Sequence, residues 1–351
     1  MYEFVQAVDP QEWVKPRDNE TKVGQAVPLL PKAESYSAAL ASAYSAGQRV
    51  AILGVPECIG PRANLGNGGA QDGWNAFLKS FLNLQSTHAL PLQDLLLVGN
   101  VDTTDLMLEA EQLDVSKPHE LLRLRELVAL LDTRVQHVVA PLFNAGFEVV
   151  LVGGGHNNAY PLLTSLHQAV GVPVGAINLD PHSDFRPREG RHSGNGFSYA
   201  YTEGALGYYH VMSLHEGKNS ATTLKNLADA GFRYHSIHHL YDMQFTDAMR
   251  DVTAKAIAWQ APLGVEVDVD AIQFAPASAY NTTGVSVAQA YSFVSDLASL
   301  PEAKYLHLAE AAPSCHPAGI DAGMQHAGQL LSELLIAWLR GRGRRASEPL
   351  R

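Results

Sequence analysis

Short runs of apolar, β-branched residues alternate along the chain with segments whose apolar residues recur at helical spacing. Such runs are typical of strands buried on both faces, and the helical segments are typical of helices packed on a sheet. This alternation predicts an α/β protein with eight strands in one parallel sheet. The predicted strands are Arg49–Val55, Leu95–Val98, Val149–Val152, Val174–Leu179, Tyr208–Leu214, Tyr234–His238, Leu263–Val269 and Tyr305–Ala309. The predicted helices cover residues 70–83, 118–144, 158–169, 222–230, 245–260, 286–299 and 322–340, after a short helix near Ser35–Ser45.

The two ends of the chain lack this alternation. Residues 1–47 are polar at first and contain four prolines, which predicts an irregular N-terminal arm. We expect a single domain over residues 48–340 and a C-terminal tail over residues 341–351. The tail begins with the basic segment Gly341–Arg345, which we interpret as a frayed end and not as a nucleic-acid patch.

An Asp-x-His-x-Asp motif, Asp180–Asp184, directly follows one of the predicted strands. Alternate side chains of an extended chain share one face, so Asp180, His182 and Asp184 would point the same way. Crowded carboxylates and imidazoles repel each other or lack partners unless a cation lies between them. The alternative is a solvated polar loop. The tight spacing after a buried strand favours a divalent metal.

Other polar residues follow neighbouring candidate strands. Ligands of parallel α/β sheets bind at the carboxyl ends of the strands. His156 lies in the glycine-rich turn Gly153–Asn158, which by itself is equally compatible with a simple strand-to-helix connection. Glu310 follows the last predicted strand, where a carboxylate can be a helix cap or a substrate anchor. We expect both residues at the same edge of the sheet as the Asp-x-His-x-Asp motif.

A third set of carboxylates belongs to the predicted strand Leu263–Val269. Glu266, Asp268 and Asp270 would share one face, which is costly in a buried strand without a cation; an exposed edge strand is the alternative. The six candidate ligands are His156, Asp180, His182, Asp184, Asp268 and Asp270. They are too many for one tetrahedral zinc and include no thiolate, whereas carboxylate-rich sites suit manganese or magnesium, often in pairs. Such a site predicts hydrolysis at a polarised carbon.

Composition adds the expected surroundings. The net charge of −11 argues against nucleic acid or an anionic membrane as the main partner. Cys58 and Cys315 are too few for a disulfide framework, so we expect a reducing cytoplasm. No signal-like segment opens the sequence, and the longest stretch without charged side chains, residues 149–179, is interrupted by glycines and prolines. We therefore expect no membrane partner.

The chain resembles the ureohydrolase family, which includes arginases, agmatinases and formimidoylglutamases. Gly154–His156, Asp180–Asp184 and Asp268–Asp270 match the family's Gly-Gly-x-His, Asp-x-His-x-Asp and Asp-x-Asp motifs in order, within a resemblance over roughly residues 48–340. The resemblance implies an arginase-like catalytic domain, a three-layer α/β/α sandwich with a mostly parallel eight-stranded sheet. It also implies two Mn²⁺ per chain, a small-molecule substrate and, since family members commonly assemble, a homo-oligomer.

The same resemblance assigns the ligands to two metals. Asp180 and Asp268 are expected to bridge them. His156 and Asp184 are expected to complete one metal, and His182 and Asp270 the other.

Several departures from the arginases narrow the resemblance. Gln273 stands where arginases have a third aspartate, and Phe197 stands where they have a proton-shuttle histidine. The loop Ser193–Phe197 instead resembles the Ser-Gly-Thr-Pro-Phe loop of formimidoylglutamases, as does Arg186 shortly after the last motif aspartate. The segment Gly60–Ala70 resembles their Arg-x-Asn-x-Gly-Arg-x-Gly-Ala loop, with asparagine in place of the second arginine.

The resemblance therefore predicts hydrolysis of a linear amidine C–N bond, with N-formimidoyl-L-glutamate giving L-glutamate and formamide, a step of histidine catabolism. Asp184 would orient the attacking water and move its proton, and Glu310 would bind the amidinium group. One alternative is an arginase- or agmatinase-type enzyme that releases urea from a guanidino compound. The other is a metal-binding scaffold that has lost catalysis.

Substrate contacts are predicted at three further residues. Arg186 and Arg62 would bind the substrate carboxylates, because a guanidinium pairs naturally with a carboxylate; a structural salt bridge is the alternative for both. Asn195 is the third predicted contact. Arg188 and Arg191 are interpreted as solvated loop charges.

Overall fold

The strands of the sheet are the apolar, β-branched runs of the sequence, and the residues of the central strands are buried. The computed structural model describes residues 2–345. Its strands are β1 (Val5–Gln6), β2 (Val50–Gly54), β3 (Leu95–Val101), β4 (Glu148–Val152), β5 (Val174–Leu179), β6 (Leu206–Leu214), β7 (Arg233–Ser236), β8 (Leu263–Asp268) and β9 (Ala303–Ala309). Its α-helices are α1 (Val23–Ala26), α2 (Tyr36–Ser45), α3 (Ile59–Ala63), α4 (Gly73–Phe81), α5 (Thr104–Glu111), α6 (Pro118–Asn144), α7 (Ala159–Val170), α8 (Gly196–Thr202), α9 (Ala221–Asp229), α10 (Ile237–Asp242), α11 (Phe245–Trp259), α12 (Val287–Ala298) and α13 (Ile320–Arg345).

The sheet separates two hydrophobic layers. Successive residues of a strand face opposite sides, so Val50 and Ile52 join one core cluster while Ala51 and Leu53 join the other. The first layer packs against α4, α11, α12 and α13. The second packs against α2, α6 and α7. The predicted α/β/α arrangement is therefore confirmed.

Helix starts follow local sequence signals. The Ser35 and Ser220 hydroxyls accept backbone N–H groups at the starts of α2 and α9. Ser286 and Gln289 form a capping box at the start of α12. Pro118 opens α6, where its missing N–H needs no partner. These signals explain why the predicted helices lie close to the observed ones.

Three features differ from the prediction. The described sheet has nine strands, not eight, because β1 in the N-terminal arm pairs antiparallel with β3. The predicted strand Tyr234–His238 gives way to α10 after Ser236. The basic segment Gly341–Arg345 is not frayed: it completes α13, and Arg342 and Arg345 contact Glu148 at 3.2 and 2.8 Å. The rest of the predicted tail, residues 346–351, lies outside the described residues.

Strand order brings four strand ends together. The order is β1-β3-β2-β4-β9-β8-β5-β6-β7, and the strands from β3 to β7 run parallel. The chain passes from β4 to β5 across a gap that β8 and β9 fill later. Consequently β4, β9, β8 and β5 are neighbours, and their carboxyl ends open at one edge, as expected for a ligand site at a switch in strand order.

Within residues 2–345, no helix combines the length and the apolar character needed to cross a bilayer.

A histidine pair connects the two outermost strands on the β7 side. His210 Nε2 of β6 lies 2.9 Å from His235 Nδ1 of β7, and both side chains are buried. Burial, reinforced by His235 and by Lys255, lowers the pKa of His210 to about 3. Burial lowers the pKa of His235 as well, and Asp251 opposes this shift from 3.4 Å. The folded protein therefore holds both imidazoles neutral at pH values where an unfolded chain would protonate them.

We expect this pair to make folding stability depend on pH. Because the folded pKa of His210 lies below its unfolded value of about 6.5, its contribution is present above that pH and is lost on acidification. Unfolding free energy should fall by roughly 2 kcal/mol between pH 7.5 and pH 5 from His210 alone. Urea unfolding of wild type, His210→Gln and the exposed-site control His88→Gln measures it. The His210→Gln difference between the two pH values should be smaller by that amount; an unchanged difference would contradict the assignment.

Candidate metal centre

The ring of His156 and three carboxylates meet at the ends of three of the central strands. Its Nδ1 lies 3.2 Å from Asp180 Oδ2, 3.0 Å from Asp184 Oδ2 and 3.5 Å from Asp268 Oδ2. His156 follows β4, Asp180 and Asp184 follow β5, and Asp268 ends β8. The four are buried and offer one imidazole nitrogen and three carboxylate oxygens to a common point.

A second group shares one carboxylate with the first. His182 Nδ1 lies 3.4 Å from Asp180 Oδ1 and 3.3 Å from Asp270 Oδ2. Asp180 thus directs Oδ2 to the first group and Oδ1 to the second, as a bridging carboxylate would. Asp268 offers Oδ2 to the first group only, while its Oδ1 accepts the backbone N–H of Asp270 at 2.9 Å. A second bridge through Asp268 therefore stays a prediction.

The Asp-x-His-x-Asp segment converges by turning, not by extension. Strand β5 ends at Leu179, and Asp180 Oδ1 accepts the backbone N–H of His182 at 2.6 Å. Asp184 adopts a left-handed conformation with φ of 45°, which is uncommon for a residue other than glycine. Glu310 does the same with φ of 64°. Such backbone conformations are found preferentially at functional sites, where the surrounding structure holds them in place.

Glu57 fixes the glycine-rich turn that carries His156. One oxygen of this buried carboxylate accepts the Gly155 N–H at 2.6 Å and the Asn158 side-chain amide at 2.9 Å. Gly154 has a φ of +74°, and a Cβ there would lie 2.7 Å from Glu57 Oε1 and 2.8 Å from the Val55 carbonyl oxygen. Only glycine fits, which places His156 at a fixed height over the strand ends.

A second layer of polar residues supports the other side of the His156 ring. Its Nε2 lies 3.4 Å from Glu266 Oε2, and Glu266 also accepts bonds from Tyr305 Oη at 2.6 Å and His307 Nδ1 at 2.7 Å. Burial opposes ionisation of Glu266, but His307 and His156 outweigh it and lower its pKa to about 2. A carboxylate behind a ligand histidine orients the ring and raises its basicity.

Phe197, at the position where arginases have a shuttle histidine, is part of this packing. Its ring is fully buried, lies edge-on to His156 with 5.4 Å between centroids, and stacks on Tyr209 at 4.4 Å. The Phe197 side chain therefore packs against the site and, having no titratable group, cannot transfer a proton.

Simultaneous ionisation of all the carboxylates of the centre is unfavourable, because they are buried close together. Burial, together with the charges of Asp270 and Asp180, raises the pKa of Asp268 well above its usual range. Burial and the charge of Asp180 raise the pKa of Asp184 to about 6. Burial alone would lower the pKa of His156, but Asp180, Asp184 and Asp268 raise it well above the usual value. The arrangement of these charges favours a cation among the carboxylates.

The donor set fits divalent cations. His156 Nδ1 and Asp270 Oδ1 are buried and have no hydrogen-bond partner within the described residues, an arrangement that is costly unless another group occupies the space between the ligands. Carboxylate oxygens with a minority of imidazoles are the donors that manganese and magnesium accept, and none of the six is a thiolate.

Four members of the two groups, His182, Asp184, Asp268 and Asp270, line a cavity of about 750 Å³. Glu310 lines the same cavity: its Oε1 accepts the His156 N–H at 2.9 Å and its Oε2 accepts the Ser278 hydroxyl at 2.5 Å. Burial raises the pKa of Glu310 to about 8. Glu310 forms no ion pair within the part of the chain that the structure describes, and a buried carboxylate that faces a cavity without such a partner is suited to a cationic group of a ligand.

The predicted substrate contacts separate into one that reaches the cavity and two that do not. Arg186 lines it and binds Asn64 Oδ1 at 2.6 Å and Glu189 Oε1 at 3.0 Å. The Arg62 guanidinium donates to the carbonyls of Ala110 and Leu113 at 2.7 and 2.8 Å and lies outside the cavity lining, so its placement does not support the predicted substrate contact.

The placement of Asn195 likewise does not support the predicted substrate contact, because Asn195 lies outside the cavity lining. Its side chain is fully buried, and it accepts from Arg191 at 2.6 Å and donates to the Gly190 carbonyl at 2.8 Å. Asn195 therefore shapes the loop that carries Arg186.

Arg191 was misread from the sequence as a solvated charge. It is buried, donates to Asp132 Oδ2 at 2.7 Å and to the Asn157 carbonyl at 3.0 Å, and so ties α6 to the His156 turn. Glu57 and His307 were missed altogether. Their only sequence signal is a polar residue near or within an apolar strand, which does not reveal its partner.

A sequence profile described as the arginase family matches residues 48–336, most of the chain. The chain belongs to the arginase family. The match starts at the first residue of the predicted catalytic domain and ends four residues before its predicted end.

Formimidoylglutamases are among the relatives with a similar sequence. A formimidoylglutamase of Macrococcus caseolyticus (strain JCSC5402) is 31% identical over 176 residues, which cover 49% of this chain and 48% of that protein. The alignment thus spans about half the length of that relative.

Solved structures with this fold include formimidoylglutamases. That of Bacillus subtilis subsp. subtilis str. 168 has a TM-score of 0.73 and 13% identity and covers 94% of both chains. The Trypanosoma cruzi formiminoglutamase structure with Mn²⁺ has a TM-score of 0.69 and 18% identity, and covers 92% of this chain and 98% of that one. At these identities the likeness establishes the arginase-like fold.

Proposed function

We propose that this chain is a manganese-dependent hydrolase of a linear amidine C–N bond, with N-formimidoyl-L-glutamate as substrate. The observation that carries the proposal is the convergence at one cavity of two groups of candidate metal ligands, the Glu310 carboxylate, which forms no ion pair among the described residues, and Arg186. The formimidoylglutamase relatives support the choice of substrate. The reaction adds water across the amidine carbon and releases formamide and L-glutamate.

The metals would be held by the six residues named from the sequence. His156, Asp184 and Asp268 face the first position, His182 and Asp270 face the second, and Asp180 faces both. When bound, a manganese pair supplies an activated water and offsets the negative charge that develops during attack. Glu266, behind His156, would keep the ring in its ligating orientation.

The protein's own groups position the substrate and move the proton. The Glu310 carboxylate would pair with the amidinium, and burial of this acid makes that pairing stronger than it would be in water. Asp184, whose pKa burial and Asp180 raise to about 6, would accept a proton from the attacking water and pass it to the leaving amine. Both residues line the cavity, so they reach the same bound substrate.

A substrate panel tests the proposal. We expect the manganese-loaded full-length protein to convert N-formimidoyl-L-glutamate to formamide and glutamate, and to release no urea from arginine or agmatine. Formamide and urea are measured on the same preparations, with metal content determined alongside. Urea release without formamide would replace the proposal with a guanidino hydrolase. Inactivity of a fully loaded protein on the whole panel would favour a scaffold that has lost catalysis.

Composition and family membership support a proposal for the location, the assembly and the partners of the enzyme. We propose a cytoplasmic, homo-oligomeric enzyme of histidine catabolism with a small-molecule substrate and no nucleic-acid or membrane partner. The acidic net charge of −11 and the low number of cysteines support this setting.

A further inference from the structure

One cation of the cavity wall, Lys218, has no side-chain partner among residues 2–345. Apart from the ligand His182, the described cavity lining has two basic side chains, Arg186 and Lys218. Arg186 already contacts Asn64 and Glu189. The Lys218 ammonium makes no hydrogen bond or ion pair with any residue in the described part of the chain. In a protein with a net charge of −11, an unpaired cation beside a ligand cavity favours an anionic ligand.

The position of Lys218 is tied to the metal centre. Lys218 ends a 3₁₀ turn after β6, and the next residue, Asn219, fastens this turn to the ligand motif. Asn219 Oδ1 accepts the Ser183 N–H at 2.9 Å, and its amide donates to the Pro181 carbonyl at 3.0 Å. Ser183 lies between the ligands His182 and Asp184. The backbone that carries Lys218 is thus held beside the reacting position, although the side chain itself is exposed.

Arg186 approaches the cavity from the other end of the same motif. It lies two residues after Asp184, while Lys218 is held through Ser183. Both are in the cavity lining, above a floor that contains Asp184, Asp268, Asp270 and Glu310. The floor is acidic, and the wall carries two cations and the carboxylate of Glu189, which pairs with Arg186 and leaves Lys218 free for a ligand. This distribution complements a ligand with one cationic group directed inward and two carboxylates directed outward.

We propose that Lys218 binds one carboxylate of an amidine-bearing dicarboxylic amino acid while Arg186 binds the other. The inference rests on the proposed function and adds a residue that determines specificity. Lys218 lies on the wall and not among the ligands, so it would bind ground state and transition state equally. Its removal should raise KM and leave kcat almost unchanged.

Glutamate binding tests this assignment directly. We would titrate L-glutamate into manganese-loaded full-length protein by calorimetry for wild type, Lys218→Met, Lys218→Arg and Lys225→Met. Lys225 is the matched control, because it is exposed on α9, pairs with Asp229 and lies outside the cavity lining. We expect about tenfold weaker binding for Lys218→Met, near-wild-type binding for Lys218→Arg and less than twofold change for Lys225→Met. KM for N-formimidoyl-L-glutamate should follow the same order, with kcat within about twofold.

The outcomes separate this inference from the proposed function. Equal glutamate affinity of Lys218→Met and Lys225→Met, or no glutamate binding by the wild type, overturns the role of Lys218. Formamide release by the wild type would still support the proposed function in that case. Conversely, the wild type could be inert on N-formimidoyl-L-glutamate while Lys218→Met binds glutamate more weakly than the wild type. That result would reject the proposed substrate and retain the carboxylate-binding role of Lys218.

Discussion

Replacing Asp180 with alanine is expected to abolish amidine hydrolysis and to lower the bound manganese below two per chain. Asp180 is the one residue of the six that belongs to both ligand groups, with Oδ2 3.2 Å from His156 and Oδ1 3.4 Å from His182. Its loss removes an anionic ligand from each position at once. Because a bound metal contributes several kcal/mol to catalysis, activity should fall on the order of 10³-fold or more.

The metal content of the variant is as informative as its rate. The burial of Asp180 makes a folding defect possible, so circular dichroism and the unfolding midpoint of the metal-free protein accompany the assay. Asp242→Ala, an exposed aspartate of α10, is the matched control and should retain two metals and full activity. A folded Asp180→Ala protein that keeps two manganese ions would disprove the bridging assignment.

Replacing Glu310 with glutamine is expected to lower kcat/KM on the order of 10²–10³-fold while leaving metal content unchanged. Glutamine keeps the shape of the side chain but removes the negative charge that would pair with the amidinium. Glu310 contacts the backbone of His156 and the hydroxyl of Ser278, and it does not belong to either ligand group. Steady-state kinetics and metal analysis of the same sample measure the two effects separately.

The control for this substitution is Glu333→Gln, an exposed glutamate on α13 far from the cavity lining. It should behave as wild type. If Glu310→Gln retained full activity, the amidinium would be bound elsewhere. If it lost metal, Glu310 would support the ligand groups and not the substrate.

The sequence could indicate the candidate metal ligands, which the fold brings together, because their signal is local. Asp180, His182 and Asp184 lie within five residues after an apolar strand, and Asp268 and Asp270 repeat the pattern. Apolar runs also identified the central strands, because burial on both faces leaves little choice of residue. The path of the backbone was harder to predict. The turn after Leu179 and the left-handed conformation of Asp184 bring the candidate ligands together, and the alternation of side chains in an extended strand does not describe this path.

Long side chains were the weakest part of the prediction. Arg62 and Arg191 carry the same charge as Arg186, yet their partners are backbone carbonyls and a buried aspartate chosen by tertiary packing. No spacing in the sequence indicates such partners. Lys218 was overlooked for the same reason, since its proximity to the ligands depends on hydrogen bonds made by Asn219.

Short or distant elements were missed for a different reason. Strand β1 has only two residues, Val5 and Gln6, which is too short for a periodic signal. It forms because the edge of β3 offers unpaired backbone groups. The end of α13 was cut short because its glycines and arginines suggested fraying, whereas ion pairs with Glu148 hold it in place.

Anomalous diffraction at the manganese edge from crystals of the metal-loaded protein tests the central claim most directly. We predict two peaks at the carboxyl ends of β4, β5 and β8, roughly 3.5–4 Å apart, with one oxygen of Asp180 directed at each. A single peak, or two peaks with Asp180 bound to only one of them, would contradict the shared-carboxylate metal centre proposed for this chain.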